Sequence, residues 1–163
     1  MLKKDLKFLA QSSIIAALYV VLTMLSAVAG LASGVVQVRI SEALYILACF
    51  TPAAVPGLFA GCFISNIISG CVFWDVVFGS LATLLGAFGT RLLKNKRYLA
   101  SAPPILCNTV VVPLVLSRVY HIETAIWILI LSVGAGEIIA CGILGQLLYS
   151  AVVKHPEMFE SHS

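Results

Sequence analysis

The sequence predicts an all-α integral membrane protein with six transmembrane helices and both termini in the cytoplasm. Hydrophobic residues make up 61% of the 163 residues, charged residues only 10%, and the mean hydropathy is +1.07. A soluble domain carries about 25% charged residues. A helix that crosses the hydrocarbon core needs about 20 residues, so the apolar part of the chain has room for about six, some of them short. At this length we expect one transmembrane domain, residues 1–163.

The basic residues set the expected orientation. If six helices cross in order, eight of the ten basic residues fall on one side of the membrane: Lys3, Lys4, Lys7, Arg91, Lys94, Lys96, Arg97 and Lys154. Arg39 and Arg118 fall on the other side. Because short loops rich in Lys and Arg stay in the cytoplasm, both termini are expected there. An odd number of helices would separate the termini and lose this agreement.

The first three helices are bounded by glycine, serine and proline. The first, about 8–31, is longer than the apolar core of a signal peptide, which is about 7–15 residues, and Gly30, Ser33 and Gly34 end it in an outer loop. The second, about 40–52, ends at Thr51-Pro52. The third, about 56–70, carries a small residue at every fourth position, which suits close helix packing in lipid.

The last three helices are also recognised from the residues at their ends and from their small residues. The fourth, about 75–93, runs from Trp74-Asp75 to Arg91. The fifth, about 100–117, has Pro103-Pro104 in its first turn, where proline is tolerated. The sixth, about 124–151, contains several glycines suited to close approach: Gly134, Gly136, Gly142 and Gly145.

Two polar residues lie deep in the predicted helices. Counted from the outer end of the sixth helix near Glu123, Glu137 is about 20 Å deep at about 1.5 Å per residue, close to the bilayer midplane. Asn108 is about 14 Å deep by the same rise. An acid at the midplane costs about 2.5–3.5 kcal/mol on insertion scales and marks a functional site by default. The two side chains could therefore face one cavity.

These polar residues allow two interpretations. The first is a structural network in which Glu137 is protonated, Arg39 pairs with Glu42, and Asn66 pairs with Asp75. The second is a pocket open to the outside that binds a planar, nitrogen-rich ligand, because carboxylates accept parallel N–H donors, amides match mixed edges and indole rings stack. The candidate pocket residues are Gln37, Arg39, Glu42, Asn66, Trp74, Asp75, Asn108, Trp127 and Glu137.

The sequence argues against an enzyme. The three histidines are too far apart for a local metal motif, and no P-loop, GxSxG or HExxH motif is present. No cofactor or metal is expected. A purely structural subunit would leave Glu137 and Asn108 without a purpose.

Three segments together resemble the QueT family of substrate-binding (S) components of energy-coupling factor (ECF) transporters. They are Gln37-Val-Arg-Ile-Ser-Glu-Ala-Leu44, then Pro56-Gly57-Leu58 with Gly61-Cys62 and Ser65-Asn66, and Asp75-Val-Val-Phe-Gly79-Ser-Leu-Ala-Thr-Leu-Leu85. The similarity extends from Lys3 to about Tyr149, and its specific part is 37–85.

The resemblance implies a six-helix S-component bundle in a bacterial cell membrane. It implies a subunit that captures queuosine precursors, namely queuine and aminomethyl-7-deazaguanine, from outside. A scaffold T-subunit and two ATPases would then drive uptake. It also implies docking of the scaffold on small residues of the first helix: Ser12, Ser13, Ala16 and Ala17. An S-component for another small vitamin-like or nucleobase ligand is the alternative.

With such a ligand, the candidate residues take specific roles. Glu137 would accept the ring N–H and the exocyclic amino group, and Asn108 would complete that polar edge. Asp75 or Glu42 would hold the ammonium arm, and Trp74 or Trp127 would stack on the ring. Arg39 would latch the loop after the first helix through Glu42.

Overall fold

The computed structural model describes residues 2–31 and 36–155, and the outer-loop residues Ser33 and Gly34 lie outside these ranges. Every regular element in the described ranges is helical. The α-helices are α1 (Leu2–Val28), α2 (Ala54–Ile68), α3 (Phe73–Leu92), α4 (Ala102–Arg118), α5 (Ile126–Glu137) and α6 (Gly145–Val153). A long 3₁₀ helix (Ile40–Cys49) joins α1 to α2, a short one (Leu99–Ser101) leads into α4, and a π-helical segment (Ile138–Leu144) connects α5 to α6 without a break.

Four helices are long and apolar enough to cross a membrane: Lys4–Val28, Phe73–Leu92, Leu99–Arg118 and Ile126–Val153. The other two are Ile40–Cys49 and Ala54–Ile68. At about 2.0 and 1.5 Å per residue, these two reach only about 20 and 22 Å, against about 30 Å of hydrocarbon core. The all-α prediction is confirmed, whereas the crossing of the membrane by these two shorter helices stays a prediction.

The 3₁₀ helix Ile40–Cys49 lies at the centre of the bundle. It packs against α1, α3, α6 and the π segment, and every residue from 41 to 48 is buried. Backbone that is not α-helical is tolerated at membrane depth when protein surrounds it. The sequence predicted a helix here but not its type, and it placed the end three residues too late.

Glycine and hydrogen bonds fix the end of α1. Gly30 has a positive φ of 71°, which glycine adopts without strain. The Leu31 N–H bonds the carbonyl of Ser26 at 3.0 Å, as in a Schellman motif. Beyond the turn, the Val38 N–H returns to the Leu31 carbonyl at 2.9 Å, and the Ile40 N–H donates to Ser26 Oγ at 2.9 Å. These two hydrogen bonds position the start of the 3₁₀ helix beside α1.

The small residues of α2 pack within the bundle. A Cβ on Gly57 would lie 2.7 Å from the Ser12 carbonyl oxygen, and one on Gly61 would lie 2.9 Å from the Ala16 carbonyl oxygen. Such distances require backbone-to-backbone contact between α1 and α2. The small residues of α2 therefore let α1 approach closely, as expected from their spacing.

The α1–α2 contact bears on the expected docking surface. Ser12 and Ala16 are half-buried and lie against α2, whereas Ser13 and Ala17 are exposed. Residues four apart share one face of a helix, so the predicted set falls on two neighbouring faces. Docking on this set stays a prediction.

Two arginines of the mid-chain basic cluster tie helix ends together. Arg91 Nη1 donates to the carbonyls of Ala48 and Cys49, each at 3.1 Å. These are orphan carbonyls at the end of the 3₁₀ helix. Arg97 bonds Gln146 Oε1 at 2.9 Å and Ser150 Oγ at 2.6 Å on α6. The cluster thus has a structural role besides the orientation that its charge predicts.

Candidate functional site

Two buried acids share one amide in the middle of the bundle. Asn108 Nδ2 on α4 donates to Glu42 Oε2 at 3.2 Å and to Glu137 Oε1 at 3.0 Å. Glu42, Asn108 and Glu137 are 2%, 4% and 6% exposed. The structure therefore brings together the two residues placed deepest by the sequence and adds Glu42, which the sequence had placed nearer the outer face.

The remaining oxygens of the two acids also have protein partners. The Tyr19 hydroxyl of α1 donates to Glu42 Oε1 at 2.5 Å. Cys141 Sγ lies 3.3 Å from Glu137 Oε2 and 3.4 Å from the Glu42 carbonyl oxygen. Each carboxylate oxygen accepts about two hydrogen bonds, so each keeps room for a further donor. The cluster therefore keeps unused acceptor capacity on its carboxylate oxygens.

One buried hydroxyl lies beside the acids. Tyr45, one turn after Glu42 on the 3₁₀ helix, is 1% exposed, and its hydroxyl forms no short hydrogen bond with a described residue. It still interacts with Glu42, Thr83 and Glu137. Tyr45 therefore adds a buried polar side chain to the acid cluster.

Both acids sit on helical geometry that departs from the α-helix. Glu42 lies on a 3₁₀ helix of 10 residues, although 3₁₀ runs longer than about four are uncommon. Glu137 is the last residue of α5 before the π segment. Long 3₁₀ stretches and π bulges occur often at functional positions. Here they turn two carboxylates toward one amide.

Gly136 lets the chain before the 3₁₀ helix lie directly on α5. A Cβ at this position would overlap the carbonyl oxygen of Gln37. The contact is between backbone atoms of Gly136 and Gln37. The main chain of the half-buried Gln37 therefore lies next to Glu137, the residue that follows Gly136. Two adjacent residues thus have different roles: Gly136 allows the close packing, and Glu137 is an acid of the buried cluster.

A second polar group lies where α2 and α3 meet. Asn66 is 4% exposed and donates to Cys62 Sγ at 3.6 Å. Asp75 Oδ2 accepts from the Tyr120 hydroxyl at 2.9 Å. Gly79 lies between the two, because a Cβ there would be 3.1 Å from Asn66 Nδ2 and 3.6 Å from Asp75 Oδ1. Partial burial raises the pKa of Tyr120 to about 12, so its hydroxyl stays a donor to Asp75 at neutral pH.

Arg39 interacts with both polar groups. It is half-buried and interacts electrostatically with Glu42, Tyr19 and Asp75. Among the described residues, no hydrogen bond or ion pair within 4 Å joins Arg39 to Glu42, whose oxygens accept from Tyr19 and Asn108. A latch between Arg39 and Glu42 stays a prediction, and it would act through this longer-range attraction.

Comparison with known proteins identifies the family. A model of the QueT transporter family matches residues 9–154, which is most of the chain. The chain belongs to the QueT transporter family. It is therefore a multi-pass membrane protein of a transporter family and not an enzyme.

One relative aligns with part of the chain. The queuosine precursor transporter QueT of Lactococcus lactis subsp. cremoris (strain MG1363) is 40% identical over 73 residues. The alignment covers 45% of this chain and 43% of the relative, so it spans less than half the length of either protein. No solved structure gives a significant match.

The two tryptophans do not join the acid cluster of this QueT family member. Trp74 is 55% exposed and lines a surface pocket with Arg118 and His121, and Trp127 is 61% exposed. Trp127 and Glu137 are ten positions apart, and at about 100° per residue their side chains point about 80° away from each other. The stacking roles expected for the indoles stay a prediction. Tyr19 and Tyr45 are the aromatic residues beside the acids.

Sequence reasoning missed three contributors to the cluster: Tyr19, Tyr45 and Cys141. Cys141 follows Glu137 by four positions and Tyr45 follows Glu42 by three, so helical spacing alone could have found both. Tyr19 carries no such local signal, because its partner Glu42 lies on another element.

The cluster also comes closest to a metal site within the described part of this QueT family chain. Glu42, Glu137 and Cys141 place one ligand atom each within 4.8 Å of one another. The carboxylate oxygens already accept protein hydrogen bonds, and Cys141 lies against both acids. A metal ion at this position would compete with these donors for the same oxygens.

Proposed function

We propose that this chain is the membrane-embedded S-component of an ECF-type importer for queuosine precursors. It captures queuine or aminomethyl-7-deazaguanine from outside, and partner subunits with ATPase activity drive uptake. Both termini and the mid-chain basic loop lie in the cytoplasm. The charge distribution supports this orientation, and the name of the Lactococcus relative supports the substrate class.

The observation that carries the proposal is the single amide between two buried acids. Glu42, Asn108 and Glu137 offer four carboxylate oxygens and one amide in a space almost closed to solvent. The pyrimidine edge of a deazaguanine presents a ring N–H beside an exocyclic amino group. A carboxylate matches two parallel donors of this kind, and Asn108 matches a mixed edge. An acid inside a membrane is best explained by such a partner.

The geometry favours one assignment of the ligand's two ends. Carboxylate oxygens of Glu42 and Glu137 lie within 4.8 Å of each other, so both acids would meet the same end of the ligand, its pyrimidine edge. Asp75, which belongs to the separate group near Asn66, is then free for the ammonium arm. Arg39, which interacts with both Glu42 and Asp75, would offset the negative charge of these acids.

Binding to the purified protein tests the proposal directly. Titration calorimetry in detergent should show saturable binding of queuine or of aminomethyl-7-deazaguanine without any nucleotide, because the S-component alone holds the site. Guanine, which has the same pyrimidine edge but no arm, should bind more weakly. If neither precursor gives heat or saturation, the substrate assignment is wrong. A different small molecule in the mass spectrum of the purified protein would then support the alternative vitamin-like or nucleobase ligand.

The partner subunits would dock on the exposed small residues of α1. Ser13 and Ala17 lie four positions apart on one exposed face, and neither belongs to the acid cluster. Small residues let a second helix approach closely in lipid, where packing is the main attraction between helices. The T-subunit of the proposed importer would use this face.

Replacing Ala17 with leucine tests docking apart from binding. The added side chain projects from the exposed face, so we expect unchanged affinity in calorimetry and a large loss of precursor uptake in cells that contain the partner subunits. Ala27→Leu, at another exposed position of α1, is the matched control and should transport normally. Normal uptake by Ala17→Leu would rule out this face as the docking surface.

A further inference from the structure

A groove on the surface between α3 and α4 is separate from the acid cluster. It consists of two adjoining cavities of about 380 and 480 Å³ that share Phe78, Arg118 and Val119. The first is otherwise apolar and is completed by Val111, Leu114 and Val115. The second is completed by Trp74 and His121. The groove is therefore apolar along the helices and cationic at one end.

Arg118 at the cationic end is exposed and has no recorded protein partner. Within the described part of the chain, no hydrogen bond or ion pair to an acid engages its guanidinium. Asp75, an acid at the same end of α3, accepts from Tyr120 and lines neither cavity. A guanidinium presents donors that match two phosphate oxygens at once. Arg118 is therefore open to an anion that comes from outside the protein.

The rest of the groove fits the other parts of a lipid. From Val111 to Arg118 it extends about 10 Å along α4, at about 1.5 Å per residue. Phe78 and Leu114, on facing helices, are 43% and 44% exposed and give it apolar walls. The half-exposed indole of Trp74 stands beside the cationic end, as tryptophan does at membrane–water interfaces. An apolar track that ends in a basic group at the interface is the arrangement that binds a lipid head group.

We propose that this groove binds one phospholipid with an anionic head group. Its phosphate accepts hydrogen bonds from Arg118 and from the imidazole N–H of His121, and one acyl chain lies along Phe78, Val111 and Leu114. The site does not depend on the transported substrate. It is a lipid site on the transporter's flank, in the leaflet that contains the start of α3 and the end of α4.

Native mass spectrometry of the whole protein tests the proposal. The protein is first equilibrated in mixed micelles that contain equal amounts of phosphatidylglycerol and phosphatidylcholine with the same acyl chains. It is then released from these micelles in the spectrometer. We expect one retained phosphatidylglycerol, favoured over phosphatidylcholine by about fivefold, because both lipids offer a phosphate to Arg118 but the choline cation of phosphatidylcholine offsets its negative charge. Equal retention of the two lipids would overturn the anionic assignment, and binding of inorganic phosphate in the same range would overturn the lipid as occupant.

Two variants separate the head-group contact from the acyl contact. Arg118→Gln should abolish the preference for phosphatidylglycerol, whereas Lys94→Gln, which removes the same charge from an exposed position elsewhere, should keep it. Leu114→Trp fills the apolar track and should reduce retention of both lipids. The proposal fails if Arg118→Gln leaves the preference unchanged. Precursor binding should stay at the wild-type level in all three variants, so the outcome is independent of the proposed substrate.

Discussion

Replacing Glu137 with glutamine is expected to weaken precursor binding by roughly ten- to a hundredfold, the loss of about 1.5–3 kcal/mol for a hydrogen bond to a charged group. Glu137 presents two acceptor oxygens, and glutamine replaces one of them with an N–H₂ donor that faces the donors of the ligand. The remaining amide oxygen of glutamine can still accept from Asn108, which donates to Glu137 at 3.0 Å in the unchanged protein. The bundle should therefore fold while the site loses affinity. Titration calorimetry against both precursors measures the loss.

The matched control is Glu123→Gln. Glu123 precedes α5 in sequence and is exposed, so its replacement removes the same charge far from the cluster and should leave the affinity unchanged. The thermal midpoint of both variants, followed in the same detergent, separates lost binding from lost folding. Wild-type affinity in Glu137→Gln would mean that Glu137 serves the network of the bundle and not the ligand.

The helices could be predicted because lipid imposes long apolar runs and because proline and glycine end them. Pro52 follows the end of the 3₁₀ helix, Pro56 lies in the first turn of α2, and Gly30 follows α1 in the left-handed conformation. The type of helix could not be predicted. Ile40–Cys49 and Ile138–Leu144 are apolar on almost every side, so their periodicity carries no information on whether the helix is α, 3₁₀ or π.

The acids and the amide of the site could be predicted for an energetic reason. A carboxyl or amide group within an apolar run is expensive, so Glu137 and Asn108 stand out in sequence. Tyrosine and cysteine cost far less in a bundle interior, so Tyr19, Tyr45 and Cys141 do not stand out by composition, and only the helical spacing of Tyr45 and Cys141 from the acids points to them. The sequence also could not tell that the two tryptophans are exposed, because an apolar side chain in a membrane helix can face either lipid or protein.

Replacing Gly136 with alanine should disturb the site without removing any polar group. The added Cβ would overlap the Gln37 carbonyl oxygen, and a backbone atom cannot rotate away as a side chain can. The segment that leads into the 3₁₀ helix would have to move off α5 and would carry Glu42 away from Asn108 and Glu137. Overpacking of this kind costs about 1–3 kcal/mol or more. We expect a lower thermal midpoint and a large loss of precursor affinity together.

A graded series of glycine replacements on the same helix identifies the cause. A Cβ on Gly142 meets only Ile138 Cγ2 at 3.7 Å, an ordinary contact, and one on Gly134 meets Thr109 Cγ2 at 3.3 Å, a side chain that can give way. Gly142→Ala should therefore have the affinity and the thermal midpoint of the wild type. Gly134→Ala should lose some of both, and Gly136→Ala should lose most. Equal effects at all three positions would indicate a general need for glycine in this helix. Only the graded order follows from the contact between Gly136 and the Gln37 backbone.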